Sequence, residues 1–215
     1  YIEKGKFNYL YDKVQLYDTL RLLMNGQRST TDIVEIKNSL AGIDDKMLHF
    51  LENHDEQRIA SRFFAGDPWK AFPAMVISAT IDRGPVMIYF GQHVGEPGAG
   101  VEGFFGDDGR TTIYDYWGVP EHQRWMGNGN FAGDSLSGEQ RQLHQSYTDL
   151  LNLAANNPAL TRGDYFDLTE YNIGAGNFDG KVCAFIRYEG QERLLILASF
   201  NTVNTNIKVQ IPKEV

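Results

Sequence analysis

The sequence contains a single cysteine, Cys183, so it has no internal disulfide and its redox compartment stays open. Cys183 lies in the alternating run Val182-Cys183-Ala184-Phe185-Ile186 and reads as a small buried hydrophobe. No stretch approaches the roughly 18 apolar residues of a membrane span, and no signal peptide is recognisable. Positive charge is in deficit: 20 Lys and Arg against 28 Asp and Glu leave a formal charge of −8. The basic residues are scattered, so neither nucleic acid nor an anionic membrane surface is an expected partner. The chain opens at Tyr1 rather than Met, in ordinary-looking sequence, as a mature or truncated chain would. Glycine and aromatic residues are plentiful: 22 Gly, 11 Tyr, 13 Phe and 3 Trp. At 42% hydrophobic over 215 residues, the chain can bury a sizeable core in one or two domains.

Hydrophobic periodicity changes along the chain. "KFNYLYD" (6–12), "MLHFLEN" (47–53) and "GPVMIYFG" (84–91) read as strands. The last two are nearly continuous apolar runs, as in a parallel sheet covered on both faces. Leu16, Leu20, Leu23 and Met24 recur at helical spacing. Trp69, Phe72, Val76 and Ala79 do so over about 69–82, with Pro73 marking a first turn or a kink. Residues 91–135 hold 11 of the 22 glycines and read as one long irregular segment, of a length that is usually functional. Ser137-Gly138-Glu139-Gln140 fits a capping box, and the helix behind it places Leu143, Tyr147, Leu150, Leu151 and Ala154 on one face before Asn157-Pro158 stops it. Beyond about 162, "KVCAFIRYE", "RLLILASF" and "NIKVQI" read as strands, with turn signals at Asp179-Gly180 and Glu189-Gly190. A βα-repeating part over 1–160 is thus followed by an antiparallel β part over 161–215.

One stretch carries ionisable chemistry. In "HFLENHDEQR" (49–58) an apolar strand ends abruptly in Glu52-Asn53-His54-Asp55-Glu56. Parallel α/β folds collect their chemistry at the C-terminal ends of strands, where a buried strand opens into a cleft. Consecutive residues project in different directions, so at most two of Asn53, His54 and Asp55 can face one ligand. A carboxylate there can stabilise a developing positive charge, act as a base or bind a metal. The competing reading is a capping turn, with Asp55 at the start of a helix and Arg58 paired with a carboxylate. A metal-dependent phosphohydrolase using His54 and Asp55 would need further metal-spaced histidines. The five His show no zinc spacing, and Asp107-Asp108-Gly109 lacks the spacing of a calcium loop. No metal or cofactor site is evident in the chain.

"FLENHD" with Arg58 behind it resembles the block ending in Asn-His-Asp of the α-amylase family of glycoside hydrolases (family 13). "YLYDKVQLYDTLR" (9–21) resembles that family's sixth barrel strand and helix. "GPVMIYFGQHVG" (84–95) resembles its eighth strand, commonly Gly-x-Pro-x-Ile-Tyr-Tyr-Gly-Gln-Glu-x-Gly. The later β segments resemble its C-terminal β-sandwich. The resemblance covers nearly the whole chain. It implies an α/β fold: strands six to eight of a (β/α)8 TIM barrel over 1–160, then an antiparallel β-sandwich domain, cut short, over 161–215. It also implies a glycoside hydrolase acting on α-linked glucans (starch, maltooligosaccharides) with retention. Asp55 would be the catalytic carboxylate that stabilises the oxocarbenium-like transition state. His54 would hydrogen-bond the same sugar, Asn53 would help hold the turn at the substrate, and Arg58 is grouped with these substrate-binding residues. The aromatic residues of 91–135, including Phe104, Phe105, Tyr114, Tyr116, Trp117 and Trp125, could as a loop stack on sugar rings, the alternative being a loop with a small aromatic core of its own.

Departures from the family pattern bound this reading. No block resembles the nucleophile or the acid/base motif. Asp12 follows a strand, but its surroundings match the family's Tyr-Asp-Lys scaffold. His93 stands where the eighth strand often continues Gly-Gln-Glu. Three barrel strands of eight would leave open edges, so the N-terminal part of the barrel is an expected partner. Calcium is expected only of a complete enzyme. Polymer-degrading members suggest a secreted, periplasmic or surface location. Transglycosylation by the same residues, or a carbohydrate-binding barrel without catalysis, are the alternatives.

Overall fold

A computed structural model describes residues 1–100, 106–114 and 118–213. Phe104, Phe105, Tyr116 and Trp117 lie outside the described residues. After a short helix α1 (Ile2–Gly5), strands β1 (Leu10–Tyr11), β2 (Met47–Phe50) and β3 (Val86–Met87) form a sheet in the order β1-β2-β3. β1 and β2 run parallel, with Leu10 opposite Met47 and Tyr11 opposite Leu48. Between them lie a π-helical turn (Lys13–Tyr17), α2 (Asp18–Met24) and α3 (Thr31–Ser39); between β2 and β3 lies α4 (Phe72–Thr80). A second sheet, order β4-β5-β6, is antiparallel: β4 (Asp164–Asp167), β5 (Val182–Glu189) and β6 (Glu192–Ser199). The remaining helices are α5 (Pro120–Met126), α6 (Gly138–Asn156), α7 (Pro158–Thr161) and α8 (Thr169–Asn172). The fold is therefore α/β with one parallel and one antiparallel sheet, and the chain divides into two compact units. The first comprises 1–49, 73–86 and 152–215, the second 50–72 and 87–151.

The parallel ladders are shorter than the apolar runs that encode them. At 84–91 only Val86 and Met87 pair, because the side chain of Gln92 competes for the backbone beyond. Its Oε1 accepts from Tyr89 N at 3.2 Å while Gln92 N donates to Tyr89 O at 2.9 Å, closing a turn where a longer strand was expected. Gly84, just ahead of β3, approaches so closely that a Cβ would lie 2.2 Å from Met47 O. The segment 91–135 is likewise not structureless: it contains a 3-10 turn (Gln92–Val94) and α5, which opens on Pro120 at a position where a missing N–H costs nothing.

In the first unit, charge does what short strands cannot. Asp12, at the end of β1, accepts from Leu16 N at 3.1 Å and so caps the π-helical turn. Its other oxygen meets His49 Nδ1 at 2.8 Å, and His49 Nε2 meets Asp82 at 2.8 Å. All three side chains are buried. Asp12 is therefore occupied as scaffold. Burial by itself would lower the His49 pKa, but hydrogen bonds from its ring to Asp12 and Asp82, and their charges, raise it to about 9. Arg187 of β5, also buried, donates to five backbone carbonyls: Thr80, Asp82, Leu160, Gly163 and Asp164. It thereby ties β5 to the ends of α4 and α7.

In the antiparallel sheet β5 and β6 follow their sequence signals, whereas β4 was not among the expected strands. Glu189 pairs with Glu192 across a two-residue turn in which Gly190 takes φ 57. β5 is buried on both faces, and burial pushes the Cys183 thiol up to about 12, as an inert core residue requires. The third expected strand, 206–211, has no ladder. Instead the Asn172 side chain serves as its partner, with Oδ1 accepting from Gln210 N at 2.6 Å and Nδ2 donating to Gln210 O at 3.0 Å. Ile207 and Val209 still pack on the core of Leu168, Phe178, Val182, Ala184 and Ile186.

In the second unit, α6 starts at the expected capping box: Ser137 N donates to Gln140 Oε1 at 3.0 Å and Gln140 N to Ser137 Oγ at 3.1 Å. Tyr147 of α6 receives Gln92 Nε2 at 3.2 Å and packs edge-on to Phe72.

The His49 pair of hydrogen bonds makes a pH-dependent contribution. Because the folded pKa is raised, the stabilisation is complete below the unfolded value of 6.5 and is lost as pH rises through about 9. Urea unfolding should show a decline of about 3 kcal/mol over that window. His49→Gln should be less stable at pH 6.5 and should lose most of this slope.

Candidate functional site

The polar tip of β2 is built as a turn closed from beneath. Glu52 and Arg58, on either side of it, are 2% and 0% exposed. Arg58 Nη1 donates to Glu52 Oε2 at 2.8 Å, and Glu52 Oε1 accepts from Ile59 N at 2.6 Å. Arg58 Nε and Nη2 both donate to Thr111 Oγ1, at 2.9 and 2.6 Å. Its guanidinium lies 4.3 Å from the ring centroid of Tyr89 and 4.8 Å from that of Phe90, a cation–π contact on two aromatics. Its backbone N donates to Gly109 O at 2.7 Å. Burial pushes the Glu52 carboxyl up, while the charge and hydrogen bonds of Arg58 and the Ile59 amide pull it back. Arg58 was expected at the substrate. With no exposed surface and its donors engaged inside the unit, it holds the turn instead, as the competing capping-turn reading proposed for it.

The turn itself is set by Asn53, which is 3% exposed. Its Oδ1 accepts from Asp55 N at 2.9 Å and Glu56 N at 2.8 Å, an Asx-type turn. Asn53 thus positions its neighbours from within. What it presents outward are His54 and Asp55, whose side chains are 44% and 68% exposed, with His54 Nε2 3.5 Å from Asp55 Oδ1. Of the four residues singled out in the sequence, two are therefore framework and two face solvent. No helix follows for Asp55 to cap, since residues 54–56 form bends. The arrangement can offer an anionic oxygen and an imidazole, side by side, to a ligand above the turn.

Nearby stretches of this unit are committed internally. Glu96, buried, accepts from Gly98 N at 3.0 Å and Glu121 N at 2.9 Å. It follows His93, where the sequence pattern suggested a glutamate. Asp108 pairs with Arg110, and Asp107 with Arg62 and Gly100 N. Among the described residues no group of three His, Cys, Asp or Glu is arranged to hold a metal ion. Two features escaped sequence reasoning. His49 sits inside the apolar run 47–51 and Glu52 directly follows it, and that placement is the one signal that could have marked them as groups needing buried partners. Three histidines, His93, His122 and His144, meet around Trp125, and nothing in their sequence spacing suggested it.

No protein-family model matches the sequence. No curated protein matches it either. Solved structures do. A gamma-CGTase from alkalophilic Bacillus clarkii aligns with a TM-score of 0.56 and 16% identity, over 86% of this chain and 23% of that one. CldA, a cyclomaltodextrin glucanotransferase with a three-domain ABC distribution, aligns with a TM-score of 0.57 and 16% identity, over 87% of this chain and 32% of that one. A mutant of trehalulose synthase MutB aligns with a TM-score of 0.50 and 17% identity, over 80% of this chain and 38% of that one. The glucanotransferases and synthases among these matches are α-amylase-family enzymes. At such identities the likeness establishes the fold: this chain has the fold of the matching stretch in these enzymes. It spans about a quarter to two fifths of their length.

The buried pair has a measurable consequence. Arg58→Leu should cost about 3–5 kcal/mol, because it strands the Glu52 carboxylate without its partner. The double replacement Glu52→Leu with Arg58→Leu should cost clearly less than the sum of the two single changes, as urea melts of the four proteins would show.

Proposed function

We propose that the chain is the C-terminal part of an α-amylase-family enzyme acting on α-linked glucans, with Asp55 as its transition-state-stabilising carboxylate. The observation that carries this reading is the exposed Asp55 on a rigid Asx turn at the tip of a parallel strand. The shared fold with glucanotransferases supports it. In this reading residues 1–160 supply barrel strands six to eight and residues 161–215 the start of a C-terminal β domain. The remaining strands, the nucleophile and the acid/base come from the N-terminal part of the barrel. Calcium would belong to that complete enzyme, and no step here is assigned to it. No helix among the described residues is long and apolar enough to cross a membrane.

The chemistry asked of Asp55 is electrostatic. Cleaving a glycosidic bond passes through a sugar that carries positive charge at its anomeric centre and flattens toward a half-chair. A carboxylate fixed close to that sugar gains attraction as the charge grows, so it binds the transition state more tightly than the ground state. Fixing matters, because a mobile carboxylate would have to reorganise during the reaction. The Asn53 turn and the Glu52–Arg58 pair beneath it supply the rigidity. His54 orients the same sugar by hydrogen bonding. Transfer to a second sugar rather than to water uses the same residues, and the glucanotransferases that share this fold favour transfer as the second reading.

The test is the release of reducing ends from soluble starch, and the formation of longer or cyclic maltooligosaccharides, by protein carrying this segment within a complete barrel. Asp55→Asn should lower kcat by about 10²–10³. Maltooligosaccharide binding by calorimetry should persist in the same variant. Equal turnover in wild type and Asp55→Asn would sink the assignment. Binding without turnover in either protein would favour a carbohydrate-binding barrel that lacks catalysis.

A further inference from the structure

The second unit contains a histidine cluster that the proposed chemistry does not use. His93, on the 92–94 turn, lies edge-on to Trp125 of α5 at 4.5 Å between ring centroids, 5.1 Å from His144 of α6 and 6.4 Å from His122 of α5. His122 and His144 lie 5.5 and 6.0 Å from Trp125. Phe90 packs against His122, and Phe131 against Trp125. Each imidazole has one buried ring nitrogen with no hydrogen-bond partner among the described residues: His93 Nε2, His122 Nδ1 and His144 Nδ1. A neutral imidazole can tolerate such a position at modest cost. An imidazolium cannot, because its charge would be desolvated beside two like neighbours.

The charged groups around the cluster offer it no relief. Arg58, from the 52–59 turn, adds positive potential at His122 and is already paired with Glu52. Glu96 is held by the backbone amides of Gly98 and Glu121. On α5, Glu121 pairs with Arg124 and with Gln140 of α6, and Arg141 of α6 donates to Leu136 O. None of these carboxylates is hydrogen-bonded to His93 Nε2, His122 Nδ1 or His144 Nδ1.

We propose that His93 and His122, packed with His144 around Trp125, form an acid-sensitive latch, which holds the 92–94 turn, α5 and α6 together while these two are neutral and releases them when they are protonated. The direction of the pKa shifts agrees with the geometry. Burial, reinforced by the two neighbouring histidines, holds His93 down to about 4, and burial with Arg58 lowers His122. For a base whose folded pKa is depressed, protons bind the open state better. The latch is therefore at full strength above pH 6.5 and weakens as pH falls toward 4. This device is independent of Asp55 and of any activity.

Hydrogen exchange read by mass spectrometry on the full chain tests it, with rates corrected for intrinsic pH dependence. Between pH 7 and pH 5, opening of peptides covering 91–98, 120–131 and 138–150 should rise about twentyfold from His93 alone. A peptide covering 182–199 should change little. His93→Gln and His122→Gln should each flatten the response. In the wild-type protein the C2 proton resonance of His93 should not titrate above pH 5. The proposal is overturned by a His93 resonance that titrates near pH 6.5, by unchanged protection at pH 5, or by variants that keep the full response. Should a variant not fold, the wild-type resonance and exchange data decide the question unaided.

Discussion

A guanidinium buried between a carboxylate, a hydroxyl and two aromatic rings is the interaction on which the candidate site depends. Arg58 reaches Glu52 before the turn, Thr111 far along the chain, and the rings of Tyr89 and Phe90 just after β3. Each contact joins a segment that has little regular structure of its own. Burying both charges is expensive, and only near-complete hydrogen bonding offsets it. The return for that expense is geometry. A short loop with Asn53 at its base is held to one conformation, and the exposed carboxylate of Asp55 inherits it.

The first unit uses charge in the same manner. β1 and β3 each contribute only two paired residues, too few for backbone ladders to fix their register. His49 spans the gap between Asp12 and Asp82, and Arg187 collects the carbonyls left at the ends of α4 and α7. Carbonyls at helix ends have no intrahelical donor, so a single fork of five N–H groups answers several of them together. Polar residues inside this unit are thus the fasteners, while Leu20, Ile33 and Ile77 supply ordinary apolar burial.

How far the sequence could be read varied with the range of the interaction involved. The capping box at Ser137, the two-residue turn at Gly190 and the burial of Cys183 all rest on neighbours within a few positions or on a simple alternation. They appear in the structure as expected. Strand length was overestimated at 6–12 and 84–91, because an apolar run reports burial and says nothing of whether a neighbouring strand is there to pair. The strand at 206–211 failed for the converse reason. Its alternation is real, and Ile207 and Val209 do pack inward, but a side-chain amide from Asn172 took the place of a strand partner. Arg58 was assigned to the wrong side of the turn, since a charge following Asn-His-Asp looks the same in sequence whether it faces a ligand or the core.

By itself the sequence determined where a polar, ionisable tip ends an apolar run, the change from helical to alternating period near 160, and the resemblance of three blocks in order. Each of these is written in adjacent or regularly spaced residues. Tertiary structure alone decided which members of Glu52-Asn53-His54-Asp55 are framework and which are offered to solvent. It alone brought His93, His122 and His144 onto one tryptophan. The physical reason is common to both. Desolvation and pairing of a polar group depend on what surrounds it in space, and those surroundings are assembled from segments that the linear order keeps far apart.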